Sequence, residues 1–425
     1  MPVRLMYEKT VLPNGLRVVS STMPHTRSAS VSIFVGAGSR YESDEIAGVS
    51  HFLEHMLFKG TRRRPTAREI SEEIEGIGGV MNAGTDKELT VYWAKVGDHR
   101  FANTIDLLAD SLRNSLLDPL ELEKERAVIL EELAMTEDSP GEIVSLLIDE
   151  VVWPNQPLGR DTGGSPDSVR AITRDDVIRY MEELYTPQNT VVAVAGNVSH
   201  QEVVDRAAEH LGDWETRPHG RWYPADIPDD TPRVRLRTKK TEQAHICLGL
   251  PGVSSAHPDR YALDVLNSVL GEGMSSRLFL ELREQRGLCY DVHSYVNHYL
   301  DTGSAVISAS VDPRNVAEAL RSIVDEIEKM SDRIPEKELT KAKEFIKGRL
   351  QLRMEDTRAV ASWLGGQELL RREILTVDDV LTIVDDVQLD ELQRVAQYLL
   401  RPDQFRLALV GPYRSEARFE KLLAA

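Results

Sequence analysis

Residues 28–38, SASVSIFVGAG, carry the alternating character of a half-buried strand. Upstream, TVLPNGLRVVSS (10–21) reads as two short strands about a Pro-Asn-Gly turn. Downstream the apolar period lengthens, predicting helices over about 48–58 and 66–75. Strands are expected at about 78–84 and 88–96, then long helices from 98 to about 152. The order returns later: a strand at AHICLGLPG (244–252), a helix from about 257, strands around 290–310, and helices from 313 onward. Strands gathered together and helices gathered together predict the α+β class. The expected architecture is two homologous α/β rolls, each a mostly antiparallel sheet covered on one face by helices.

The return is a repeat in sequence as well as in pattern. Shifted by 215 residues without a gap, RDDVIRYMEELYTPQNTVVAVAGNV (174–198) lies on LDELQRVAQYLLRPDQFRLALVGPY (389–413). Asp175 then meets Asp390, Pro187 meets Pro402 and Gly196 meets Gly411. The same shift lays 96–110 on 311–325 with apolar residues in step. Between the copies, DWETRPHGRWYPADIPDDTP (213–232) has the Pro- and Asp-rich composition of a linker. The expected domains are 1–214 and 233–425, joined by a linker over 215–232.

Bulk composition narrows the function classes. The formal net charge of −18 argues against a nucleic-acid surface, which needs clustered Lys and Arg. No apolar run approaches the length of a membrane span, and the first residues lack the apolar segment of a secretory signal, so a cytoplasmic protein is expected. Only two cysteines occur, Cys247 and Cys289, and neither sits in a CxxC pair. Any metal must be held by histidines and carboxylates.

One helix carries the residues to hold it. In HFLEHMLFKGT (51–61), His51 and His55 are four apart, so both lie on one face at about 100° per residue. Glu54 lies on the same side. Two imidazoles so spaced grip zinc, and a glutamate beside them serves as general base toward the activated water. H-x-x-E-H is the inverted order of the commoner H-E-x-x-H motif. A catalytic zinc usually takes a third protein ligand. The acid-rich helix expected over 120–138 offers Glu125 and Glu132, seven apart and on one face; Glu131 faces about 100° away from Glu132. Spacing alone does not choose among these carboxylates, since acidic runs on helices are mostly solvated faces. A shift of about 217 puts Ala342 and Arg349 under Glu125 and Glu132, and the counterpart of the His51 helix (261–273) has no histidine. The second copy keeps the scaffold and lacks the chemistry, the mark of a single-site enzyme.

With GAGSRYESDEIAGVSHFLEHMLFKGT (36–61) and ERAVILEEL (125–133), the chain resembles the pitrilysin/insulinase family of inverted-zincin metallopeptidases over nearly its whole length. The likeness is greatest to the short, mitochondrial-processing-peptidase-like subfamily. It implies that Glu132 is the third zinc ligand and Glu125 its support. It implies that GGVMNAGTDKELTVYWAKV (78–96) contains an edge strand on which a peptide adds as a further strand, with Asn82 and Ala83 binding substrate. In LREQRGLCYDV (282–292), Arg283 and Tyr290 match the family's Arg/Tyr pair, which approaches the substrate carbonyl. Spacing alone would leave Tyr290 as an aromatic at a strand start.

The implied activity is that of a zinc endopeptidase on unfolded or short peptides, with one Zn²⁺ per chain and Glu54 as general base. Large relatives place four such domains on one chain. Two domains here, with both the zinc motif and the Arg/Tyr pair, lead to the expectation of a homodimer. A heterodimer with a zinc-less paralogue is the competing arrangement. A non-catalytic subunit of a respiratory complex is the alternative function, and the completeness of His51, Glu54, His55 and Glu132 weighs against it.

Overall fold

The computed structural model of the protein describes residues 7–226 and 232–423. Of the expected linker, residues 227–231 lie outside the described residues.

The first sheet has six strands: β1 (Glu8–Val11), β2 (Arg17–Thr22), β3 (Ser28–Val35), β4 (Val80–Thr85), β5 (Thr90–Gly97) and β6 (Thr190–Gly196). Their order is β1-β2-β6-β3-β5-β4, antiparallel except for β2 beside β6. The second sheet holds β7 (Val234–Thr238), β8 (Ala244–Pro251), β9 (Cys289–His298), β10 (Gly303–Val311) and β11 (Arg406–Gly411). Its order is β7-β11-β8-β10-β9, again with one parallel pair, β7 beside β11. Apart from β1 the two orders are the same, and the repeat holds at the level of single hydrogen-bonded partners. Phe34 pairs with Val191 and Val91; 215 positions on, Gly249 pairs with Arg406 and Val306.

The expected α+β class and twin rolls are what the chain forms. Helices α1 (Val49–Met56), α2 (Ala67–Glu75), α3 (Phe101–Asn114), α4 (Pro119–Asp138) and α5 (Pro140–Val152) fall where the periodicity places them. The long helical stretch breaks where Ser139 caps α5 and Pro140 takes its first position, where a missing N–H costs nothing.

The packing units are not the contiguous halves expected from the linker. One unit comprises Met1–Leu133, Asp161–Tyr223 and Gln351–Asp378; the other comprises Ala134–Arg160, Pro224–Leu350 and Asp379–Ala425. Each sequence half therefore lends a helix to the other half's sheet. Helix Thr357–Leu370 packs on β2, β3 and β6, while α5 packs on β7, β8 and β11. Complementary bulk explains the fit. In the first unit the strand supplies Phe34 and the helix supplies Gly365, where a Cβ would stand 2.3 Å from the Phe34 ring. In the second unit the sizes are reversed: Gly249 on the strand faces Ile148 and Val152 of α5. A linker is visible in composition; an exchange of helices is not.

Candidate metal centre

α1 begins at Gly48, whose left-handed φ of 94° suits glycine, and a Cβ there would also meet the Gly163 carbonyl at 2.5 Å. The buried carboxylate of Glu42 accepts from the Gly48 and Ser50 amides at 2.7 and 2.8 Å, satisfying the helix's open N–H groups with a negative charge. Along α1, Val49, Phe52, Leu53 and Met56 are buried at helical spacing. That registration leaves His51, Glu54 and His55 on the opposite, half-buried side.

α4 runs alongside with Leu122, Glu125 and Ile129 on its buried face and Glu132 one turn further along that face. His51, His55 and Glu132 form a cluster whose nearest ligand atoms all lie within 4.8 Å of one another. The two Nε2 atoms are 3.2 Å apart, and each is 3.7 Å from Oε2 of Glu132. A tetrahedral zinc with bonds of about 2.0–2.2 Å spaces its ligand atoms by roughly 3.3–3.6 Å. The cluster therefore fits zinc in spacing and in donor chemistry.

The tautomer of His55 fits too. Its Nδ1 stands 3.0 Å from Oε2 of Glu125. A carboxylate only accepts, so His55 carries its proton on Nδ1 and turns the Nε2 lone pair toward the cluster. Burial lowers the pKa of His51, the neighbouring His55 adds to this, and Glu132 and Asp161 oppose it. A neutral imidazole is the form that binds a metal. Glu131, by contrast, is exposed on the outer face of α4.

Glu54 is held separately. Thr85, the last residue of β4, donates its hydroxyl to Glu54 Oε2 at 2.5 Å. Burial raises the Glu54 pKa, with the Thr85 hydrogen bond and His55 acting against the shift. A carboxylate poised above its usual range suits a general base. β4 is an edge strand carrying Asn82 and Ala83, and the Ala83 amide donates to the Asn82 side chain at 2.8 Å rather than to β5. That amide thus points to the open edge.

Arg283 and Tyr290 belong to the second unit. Arg283 lies in a π-helical turn, Phe279–Gln285, with its guanidinium 4.8 Å from the Phe279 ring and 4.6 Å from the Tyr290 ring. The Tyr290 side chain is exposed at the head of β9. The structure thus joins these two to each other, and His51, Glu54, His55, Glu125 and Glu132 in one site.

Three contributors escaped sequence reasoning. Thr85 sits 31 residues from the carboxylate that it holds. Lys59, in the turn leaving α1, places Nζ 2.6 Å from Oε1 of Glu125. Gly163 backs His51: a Cβ there would lie 3.6 Å from Nδ1. Lys59 falls within the motif stretch 51–61, Thr85 within the stretch 78–96 and Gly163 within the segment 155–164, but spacing gives none of them a role. Trp153, which precedes that segment, is a core residue, buried and edge-on to Tyr299 with ring centroids 5.3 Å apart.

Comparison with known proteins gives the family and the fold. Residues 17–165 match the family model described as insulinase (peptidase family M16), and 171–346 match the model described as the M16 inactive domain. The second match begins before the second repeat and takes in 233–346 of it; His51, His55 and Glu132 have no like counterparts in that repeat. A Streptomyces coelicolor protein named as an uncharacterized zinc protease is 40% identical over 96% of this chain and 90% of its own length. A protease structure from Helicobacter pylori superposes with a TM-score of 0.89 at 25% identity, covering 96% of this chain and all of that one. A chain of Complex III2 from Candida albicans, at 20% identity, shares the fold with a TM-score of 0.86 over 98% of this chain and 99% of its own. With family models matching 17–165 and 171–346, and a relative 40% identical over 96% of the chain, the chain belongs to the insulinase family, peptidase family M16.

Proposed function

We propose that the protein is a zinc-dependent endopeptidase acting on unfolded or short peptides. The observation that carries this reading is the convergence of His51 Nε2, His55 Nε2 and the Glu132 carboxylate beside Glu54. A zinc ion held by the three supplies Lewis-acid polarisation of the scissile carbonyl and makes water nucleophilic at neutral pH.

Glu54 takes a proton from the attacking water as its oxygen bonds to the carbonyl carbon. The C–N bond then breaks, and Glu54 returns the proton to the leaving amine. The peptide lies extended along β4, where the outward Ala83 amide and the Asn82 side chain offer strand-type hydrogen bonds. Main-chain pairing of this kind favours extended, unfolded segments over folded ones. The paired guanidinium and phenol of Arg283 and Tyr290 are donor groups of the kind that orient a peptide and stabilise an oxyanion. The working form in this reading is a homodimer, which gel filtration with a parallel activity assay tests against a pairing with a zinc-less paralogue. The zinc-protease name of the Streptomyces relative supports the activity.

The test compares wild type with Glu54→Gln for bound metal and for hydrolysis of a quenched fluorescent peptide library. The expected result is one zinc per chain in both and turnover in wild type alone. A Glu54→Gln protein as fast as wild type overturns the mechanism. Absence of zinc from both hands the chain to the non-catalytic reading, a role that the shared fold with a Complex III2 chain also accommodates.

A further inference from the structure

The Glu125 carboxylate is held at both oxygens. Oε2 faces His55 Nδ1 at 3.0 Å, and Oε1 faces the Lys59 ammonium at 2.6 Å. The Glu125 side chain is 7% exposed, so a carboxylate this far from water depends on these two partners. Lys59 reaches it because α1 ends at Met56 and the chain turns, with the Lys59 amide donating to the Met56 carbonyl at 3.1 Å. One short segment thus supplies both the ligand His55 and the cation that fixes the support of that ligand.

His51 has no comparable support: its Nδ1 is buried with no hydrogen-bond partner among the described residues. The orientation of the paired imidazoles therefore rests on the His55 side. In the second repeat, Leu339 and Ala342 are buried on the helix matching α4, as Leu122 and Glu125 are on α4 itself. Where the metal residues are missing, an alanine stands in place of the carboxylate.

We propose that Lys59 is a positioning residue of the metal centre, clamping Glu125 so that Glu125 fixes the ring orientation and tautomer of His55. This rests on the reading that His51, His55 and Glu132 hold zinc. Without the ammonium, the Glu125 carboxylate is free to rotate off Nδ1, and His55 is free to present an N–H where the metal needs a lone pair. Loss of such an outer contact commonly weakens metal binding by about ten- to a hundredfold.

The test is zinc affinity of the full-length metal-free chain, measured by competition with a chromophoric chelator, for wild type, Lys59→Met and Lys59→Arg. Lys59→Met is expected to bind about tenfold or more weakly, and Lys59→Arg, which keeps a cation at the carboxylate, within about threefold of wild type. Ring ¹⁵N shifts of His55 in the metal-free proteins should show a single Nδ1–H tautomer in wild type and a mixture in Lys59→Met. Wild-type affinity in Lys59→Met, or no rescue by arginine, overturns the proposal. If Lys59→Met does not fold, Lys59→Gln in the same two measurements decides the matter. A wild-type chain that binds no zinc defeats the underlying reading instead, and the same titration reveals it.

Discussion

Thr85 donates its hydroxyl to Glu54, so the strand on which a peptide would be laid and the carboxylate that would move its proton are joined by one hydrogen bond of 2.5 Å. Thr85 itself is fixed. It pairs with Thr90 across the β4–β5 turn, and Thr90 is tied by its hydroxyl to the Ala37 carbonyl at 2.9 Å.

Replacing Thr85 by Val keeps the shape and removes the donor. The hydrogen bond lowers the Glu54 pKa against a larger rise from burial, so its loss should move that pKa further up. The acid limb of the kcat/KM profile should shift to higher pH, and kcat should fall about tenfold with KM little changed. Thr85→Ser should restore both. An unmoved acid limb in Thr85→Val would show that the contact does not tune the base.

Ala83 offers an outward amide on an edge strand, a position where proline is tolerated in the fold. Ala83→Pro should leave thermal stability close to wild type and raise KM by about fivefold, the worth of one hydrogen bond of about 1 kcal/mol. Equal KM values for Ala83→Pro and wild type would remove this amide from substrate binding.

Gly365 packs its bare Cα against Phe34. Gly365→Ala should destabilise the chain by about 1–3 kcal/mol through overpacking, despite the better helix propensity of alanine. Trimming the ring with Phe34→Leu should recover part of that loss in the double variant. Urea midpoints of the four proteins, in a double-mutant cycle, report the coupling; strict additivity would contradict the packing argument.

His245 on β8 is buried enough to lower its pKa, with Ser310 3.0 Å from its Nδ1. A lowered pKa in the folded state means that the unfolded chain binds the proton more readily. The stabilising contribution is therefore complete above about pH 6.5, the ordinary histidine value, and is lost as pH falls toward the folded value. Melting temperatures of the metal-free protein between pH 5 and 8 should fall on the acid side, and less steeply in His245→Gln. Identical slopes would assign the acid sensitivity to other groups, His51 among them.

The sequence made some of this legible and hid the rest for physical reasons. His51, Glu54 and His55 are local on one helix, so spacing reveals their shared face. Glu125 and Glu132 share a face of α4 by the same rule, although spacing could not rank them among other carboxylates. The repeat was readable because strand registers and apolar faces are kept at a fixed shift, down to the partners of Phe34 and Gly249. Thr85 and Lys59 were not readable, because a lone hydroxyl or ammonium gains its role only from a tertiary neighbour. The helix exchange was hidden for a related reason: an apolar stripe says that a helix packs, and is silent about which sheet receives it.

That exchange bears on how the molecule behaves when its chain is cut. Each compact unit draws a helix from beyond the segment around residues 215–226, so cleavage there separates the polypeptide without completing either piece. An N-terminal fragment alone would leave its own sheet bare where Thr357–Leu370 should lie, and would carry α5 with nothing to cover. The two fragments are obligate complements of each other: a nicked protein should persist as a single noncovalent particle, and neither half should be recoverable as a folded domain.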